Sequence, residues 1–228
     1  MDLHSGRETK DHMASRKMGG FSLIEMMTTV TIILIVTGIL VAGLQPALQY
    51  SRVNNAYNTA LAAIRQTRDY AVAQRQQYSV TFSNAAIPNT ITITQITQTG
   101  TNNTVATYQL PNDLRFMVVG GFPSSAATVP DGFGNGATPI AFDQGIAAGN
   151  PNVIYFMPDG TGQDISGNIN NGVLYIARCT DTASSPCPAG STLGDINSGH
   201  AITVWGATGR IRGWRLFYQS GTAYWRQN

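Results

Sequence analysis

A long stretch without charge near the N-terminus constrains this chain more than any other feature of its sequence. From Met26 to Ser51 there is no Asp, Glu, Lys, Arg or His, and Ile, Val, Leu and Met dominate residues 26–44. These twenty-six residues would form roughly 39 Å of helix at ~1.5 Å each, more than the ~30 Å hydrocarbon core of a bilayer. The run therefore predicts a transmembrane helix, which we place at residues 21–45.

Two other kinds of segment also contain apolar runs. A secretory signal peptide has a shorter apolar region of ~7–15 residues that ends at a small-residue cleavage site, and no Ala-x-Ala pattern ends this run. A buried core helix rarely stays uncharged over such a length. A single membrane span is the most economical interpretation.

Basic residues flank the predicted span asymmetrically. Arg16 and Lys17 lie just before it, and the next basic residue is Arg52. Because positive charge is retained on the cytoplasmic side, this asymmetry predicts a cytoplasmic N-terminus. Everything beyond residue 52 is then expected outside the cytoplasm.

Glu25 is anomalous because it lies at the start of an apolar helix. A carboxylate within a membrane helix costs about 2.5–3.5 kcal/mol on insertion scales unless it is paired. If the chain is cut after Gly20, the new amino group on Phe21 lies four positions away on the same helical face. The amine of a neighbouring copy could serve equally, so Glu25 is a candidate assembly residue.

The residues around this carboxylate match a known signal. The run Gly-Phe-Ser-Leu-Ile-Glu from Gly20 to Glu25, between a short basic leader and an apolar helix, resembles the class III signal of type IV pilins and type II secretion pseudopilins. The resemblance implies that residues 1–20 are a leader, that prepilin peptidase cuts between Gly20 and Phe21, and that Phe21 is N-methylated. It also implies extraction from the inner membrane into a filament of pilin or pseudopilin subunits, with a periplasmic or extracellular head.

The helical pattern continues beyond the predicted span, over residues 46–77. Apolar residues recur there near the 3.6-residue period, which predicts an amphipathic helix with one face against a globular head. The predicted apolar face comprises Leu48, Val53, Ala56, Ala60, Leu61, Ile64, Ala71 and Val72.

The residues from 78 to 228 predict a β-rich head. Short β-branched and aromatic runs alternate there with Gly, Asn, Pro and Ser. Gly120–Asn152, which is rich in Gly and Pro, predicts a long loop. The fold class is therefore α+β, a long N-terminal helix packed on antiparallel sheets. The predicted strands are 78–83, 90–97, 104–110, 114–119, 153–157, 172–177, 200–205, 210–218 and 224–226.

Four segments of the head carry a second resemblance. Ile154–Gly160, Gly172–Ala177, Ala201–Val204 and Thr208–Arg212 resemble, in this order, the head of the H-type minor pseudopilins and their type IV pilus relatives. The Gly-rich insert before Val153 and the tail after Arg212 depart from that pattern. The resemblance therefore leaves open a type II secretion filament, whose partners would include secreted proteins, and a type IV pilus.

The C-terminal region carries four arginines and no acid after Asp195. Because side chains alternate along a strand, Arg210 and Arg212 share a face and could straddle successive phosphates. In pilus relatives that take up DNA, a Gly-Arg-x-Arg motif is implicated in DNA binding, and residues 209–212 match it. Arg210, Arg212 and Arg215 are thus candidate DNA contacts, and the alternative is a solvated strand whose arginines prevent aggregation.

The remaining reactive side chains are few. Cys179 and Cys187, the chain's two cysteines, predict a disulfide in an extracytoplasmic head. His200 alone could not complete a metal site with them, so neither metal nor cofactor is expected. No Gly-x-Ser-x-Gly, Ser-x-x-Lys or His-Glu-x-x-His motif occurs, which favours a structural subunit over a membrane-anchored enzyme.

Overall fold

The computed structural model describes residues 22–97, 101–144, 150–179 and 198–228. Its contacts divide the chain after Pro46 into two compact units, which are described separately. Gly20, Phe21 and the rest of the predicted leader lie outside the described residues. The domain limits at residues 20, 45 and 77 stay predictions.

The secondary structure consists of one long helix, eleven strands and one 3-10 turn within the described residues. The helix α1 spans Leu23–Gln74, and the 3-10 turn spans Pro130–Gly132. The strands are β1 Gln77–Ser83, β2 Thr90–Ile96, β3 Asn103–Gln109, β4 Leu114–Phe116, β5 Ile140–Gln144, β6 Val153–Phe156, β7 Gly162–Gln163, β8 Asn171–Arg178, β9 His200–Trp205, β10 Arg210–Gln219 and β11 Thr222–Gln227.

The first unit contains the apolar beginning of α1. The amides of Glu25 and Met26 donate to the carbonyl of Ser22 at 3.0 and 3.1 Å, which closes the first turn. Leu23–Val41 has a mean hydropathy of 2.2 and none of its side chains is buried. Because apolar side chains lie on every side of the helix, this segment is long and apolar enough to cross a membrane.

The second unit begins with the amphipathic part of α1. Its buried residues recur at intervals of three and four, so one face packs on the sheets. Two residues of the predicted apolar face are instead exposed, Leu48 at 58% and Val72 at 45%, because each lies beside the buried stripe. The buried residues of this face are Val53, Ala56, Tyr57, Ala60, Ala63, Ile64, Thr67 and Ala71.

A five-stranded antiparallel sheet follows the helix, in the order β3-β2-β1-β6-β7. Alternate residues of its strands form the main core with α1 and with the second sheet. The apolar side chains that these strands contribute to the core are Tyr78, Val80, Phe82, Ile91, Ile93, Ile154 and Phe156.

The second sheet has the order β11-β10-β9-β8-β4, and β5 also pairs with β8. Ile176, Ile202 and Val204 belong to the main core with α1. On the opposite face, Tyr175 and Leu216 pack with apolar residues of the segment 117–133. Strand β8 is therefore buried along both faces, as a central strand should be.

The structure confirms the α+β class, the antiparallel sheets and the nine predicted strands. The loop predicted at Gly120–Asn152 is wrong in part, because it contains β5 and the 3-10 turn. Phe122 and Phe133 from this segment are buried against the second sheet. Strands β5 and β7 were not predicted, since each lies among glycines and is short enough for tertiary pairing to decide its conformation.

Candidate functional site

Glu25, the candidate assembly residue, lies in the first turn of α1 with its side chain exposed. The hydroxyl of Thr28 donates to the backbone carbonyl of Glu25 at 2.9 Å. A carboxylate at this end of a helix interacts favourably with the helix dipole. The side chain is exposed on the helix surface, and its role in assembly stays a prediction.

The glycine of the Gly-Arg-x-Arg run is explained by close packing. Gly209 has a φ of +60°, and a Cβ there would clash with the carbonyl oxygen of Gly160. Arg68 fixes this contact, because its Nε donates to the same carbonyl at 3.2 Å. Only glycine satisfies both the backbone conformation and the available space.

Arg212 forms an internal ion pair with Asp131 of the 3-10 turn. The Asp131 side chain is only 4% exposed, and it also accepts a hydrogen bond from the hydroxyl of Thr203. Trp214 donates its indole N–H to that hydroxyl at 3.0 Å. The Arg212 guanidinium therefore neutralises a buried carboxylate that joins the 3-10 turn to the second sheet.

The other two candidate arginines lie on opposite faces of β10. Arg210 is exposed, and its cross-strand neighbour on β9 is Trp205, which is 37% exposed. Arg215 has its guanidinium 4.9 Å from the centroid of the Tyr50 ring of α1. The strand thus brings Arg210 and Arg212 to one face and places Arg215 on the other, so the three do not form a single surface.

His200, directly across from Arg215 on β9, is buried between the sheet and α1. Its Nδ1 lies 3.1 Å from the carbonyl oxygen of Ser198, and its ring centroid is 4.8 Å from that of Tyr57. Burial, with a smaller contribution from the charge of Arg215, lowers the pKa of His200 to about 4 against the opposing effect of the Ser198 hydrogen bond. The imidazole is therefore neutral at physiological pH and packs as part of the core.

The described residues include only part of what would test the predicted disulfide and the expected absence of a metal. Cys179 is buried and disulfide-bonded, whereas Cys187 lies outside the described residues, so their pairing stays a prediction. Among the described residues, His, Cys, Asp and Glu form no group of three that could hold a metal ion. The absence of a metal likewise stays a prediction.

Sequence reasoning missed a cleft between α1 and the β9–β10 turn. It has a volume of about 430 Å³, and Arg65, Arg68 and Asp69 of the helix line it together with residues 208–211. Its two sides come from distant parts of the chain, residues 65–69 of α1 and residues 208–211. The spacing of charges along the chain therefore gives no signal that they meet.

Comparison with known families identifies the N-terminal segment. A family model described as the prokaryotic N-terminal methylation motif matches residues 15–41, which include Glu25 and most of the exposed apolar helix. No curated protein and no solved structure matches the chain. The motif supports a type IV pilin-like or pseudopilin subunit that is processed by prepilin peptidase and assembles with other pilins.

Proposed function

We propose that this protein is a minor pilin or pseudopilin of the H type, a structural subunit drawn from the inner membrane into a filament. The observation that carries the proposal is the methylation motif over residues 15–41, followed by an apolar helix with an exposed carboxylate in its first turn. The helix holds the subunit in the membrane before assembly. Glu25 then pairs with the methylated amine of Phe21 on a neighbouring subunit, which removes the cost of an unpaired carboxylate in an apolar setting.

The Gly20→Ala variant tests the processing step. We expect the leader to be retained, because the peptidase requires a small, flexible residue before the cut, and immunoblots of membranes should show only the longer precursor. Gly38→Ala is the matched control, since a Cβ at Gly38 meets no atom within 4 Å. Normal leader removal in the Gly20→Ala variant would contradict the signal.

The Glu25→Ala variant tests the assembly step separately. The leader should be removed normally, while the amount of protein in sheared filament fractions should fall at least about tenfold, the effect of losing ~1.4 kcal/mol or more of contact energy. Thr29→Ala, at another exposed position of the same helix, should assemble like the wild type. Unimpaired incorporation of the Glu25→Ala variant would remove the role assigned to this carboxylate.

The proposal leaves two filament systems to be distinguished, a type II secretion filament and a type IV pilus. In a type II secretion filament, the head would contact other pseudopilins or the exported proteins. In a type IV pilus, it would lie at or near the tip of a surface fibre. Deletion of the gene in the native host separates these, because loss of exported proteins from the medium indicates the first and loss of surface pili indicates the second.

DNA binding for uptake is a second candidate function, favoured by one observation. Arg210 is exposed beside Trp205, a partly exposed indole directly across the hairpin, and such a pair can contact a phosphate and stack on a base. Because Arg212 is held by Asp131, the informative variant is Arg210→Gln. It should weaken the gel shift of a single-stranded oligonucleotide at low salt, whereas Arg75→Gln should not, and an unchanged shift would remove this candidate.

A further inference from the structure

The exposed face of α1 within the second unit carries two clefts. The 430 Å³ cleft is lined by Arg65, Arg68, Asp69 and the hairpin residues 208–211, which include Arg210. A second cleft of about 600 Å³ shares Arg65 and Asp69 with the first. The two clefts therefore adjoin and form one groove along the helix, which we call the α1 groove.

The basic end of the α1 groove has uncompensated positive charge. Three arginines line it against one aspartate, Asp69. Among the described residues, Asp113 and Asp131 form ion pairs with Arg178 and Arg212, whereas no carboxylate lies within salt-bridge distance of Arg65, Arg68 or Arg210. The guanidinium groups of Arg65 and Arg68 are thus available for an external anion on the helix side of the groove. Arg210, whose side chain leaves β10 on the face shared with Trp205, lines the groove at its hairpin end.

Arg68 is held in place before any ligand binds. Its Nε donates to the carbonyl of Gly160, and the backbone of Gly209 packs so closely that a Cβ there would lie 2.6 Å from the same Nε. A guanidinium fixed in this way loses little conformational entropy on binding. Its remaining N–H groups match the two oxygens of a carboxylate or phosphate.

The other end of the α1 groove is largely apolar. Leu61 and Ala62 line it with Asn58, Gln66 and Tyr70. The Tyr70 hydroxyl accepts a hydrogen bond from Gln66 at 2.7 Å, and its ring packs against Tyr78 at 5.7 Å. This end therefore offers space for aliphatic side chains rather than a free aromatic ring for stacking.

We propose that the α1 groove binds a polypeptide segment of another protein in which carboxylates lie beside aliphatic side chains. Carboxylates would bind the arginines, and the aliphatic side chains would fill the end lined by Leu61 and Ala62. A nucleic acid fits less well, because its affinity grows with the number of phosphates contacted and three arginines beside an aspartate offer few contacts. The proposal goes beyond membership of a filament, and its test requires no filament.

The test measures fluorescence anisotropy of labelled probes with the full chain in nanodiscs, against empty nanodiscs as the blank. The probes are a short peptide alternating glutamate and leucine, its glutamine–leucine counterpart, and a single-stranded oligodeoxynucleotide. The test variant is Arg65→Gln/Arg210→Gln, which retains the Arg68 hydrogen bond. The matched control is Arg75→Gln/Arg226→Gln, which removes the same charge at exposed positions outside the groove.

We expect the glutamate–leucine peptide to bind the wild type and the control variant, and to bind the test variant at least about tenfold more weakly. Charge reversal provides a second test. The Arg65→Glu/Arg210→Glu variant should no longer bind the glutamate–leucine peptide and should instead bind a lysine–leucine peptide. The proposal is overturned if the glutamine–leucine peptide binds equally well or if the two double variants behave alike. Tighter binding of the oligonucleotide, lost in the test variant, would assign the groove to nucleic acid instead, and failure of every probe would remove it as a site.

Discussion

The environment of His200 makes the stability of the head depend on pH. The groups that face its ring are Tyr57 of α1, Arg215 across the strand pair, and the Ser198 carbonyl. Burial and the Arg215 charge both favour the neutral imidazole, so the folded-state pKa of about 4 lies below the unfolded value of ~6.5. Between these values the unfolded chain binds the extra proton.

The contribution of neutral His200 to the free energy of unfolding should therefore be fully present above about pH 6.5. It should decrease as the pH is lowered from there towards 4. The depressed pKa corresponds to a loss of about 3 kcal/mol across this window. Urea titrations followed by tryptophan fluorescence at neutral and acidic pH would measure it. The His200→Gln variant should show a flatter dependence on pH, and an equally steep one would mean that another group is responsible.

Residues of one short motif take separate roles, which a linear pattern does not reveal. Gly209 is required by the approach of the Gly160 carbonyl, Arg212 by the buried Asp131, and only Arg210 is exposed. The resemblance of residues 209–212 to a binding motif was readable from the sequence. The partners that separate these roles come from other elements, so the sequence offered no means of assigning them.

At the scale of elements, the ion pair between Asp131 and Arg212 joins the 3-10 turn to β10. Arg212→Gln should lower the free energy of unfolding by about 3–5 kcal/mol, because it leaves a carboxylate buried without its cation. Arg210→Gln, at the exposed position two residues earlier on the same strand, should change it by no more than about 0.5 kcal/mol. Thermal or urea unfolding of both variants checks the difference.

Equal stabilities for these two variants would mean that Asp131 is solvated or compensated by Thr203 alone. The same comparison affects the DNA-binding candidate. If Arg212→Gln destabilises the head, its loss of DNA binding would report unfolding rather than a lost contact. Arg210→Gln is the variant that separates the two effects.

Most strands were predictable because β-branched and aromatic runs alternate with turn residues. Thr90–Ile96 alternates Thr and Ile almost throughout, and its isoleucines 91 and 93 are indeed buried. The structure of the segment from Gly120 onward was not predictable, because its glycines and prolines indicate a loop. The few apolar residues among them, which pack against β8, form no periodic pattern. The conformation of this segment depends on its packing against the second sheet, and local sequence propensity does not encode such contacts.

At the scale of the whole molecule, the charge asymmetry around the span predicts its orientation. Arg16 and Lys17 should hold the N-terminus in the cytoplasm. An alkaline phosphatase reporter fused after Asn228 should then be active, because that enzyme folds only outside the cytoplasm. Replacing both basic residues by glutamate should reduce the activity by about thirtyfold, the effect of losing two positive charges at ~1 kcal/mol each near the membrane.

The matched control for this prediction is Arg75→Glu/Arg226→Glu, which makes the same charge change far from the span. Its reporter activity should equal that of the wild type. Equal activity for the leader variant would mean that the leader charges do not set the orientation. The orientation would then have to come from another part of the chain.

The contacts of α1 also determine the order in which the head can fold. Gln49 accepts a hydrogen bond from Arg178, 129 residues later in the chain, and a Cβ at Gly213 would touch the hydroxyl of Tyr57. The helix is synthesised first, so under the proposed orientation its apolar face would stay uncovered until β8, β9 and β10 have crossed the membrane. Contacts this distant in sequence form slowly, and the head would then reach its final packing only after nearly all of it has been exported.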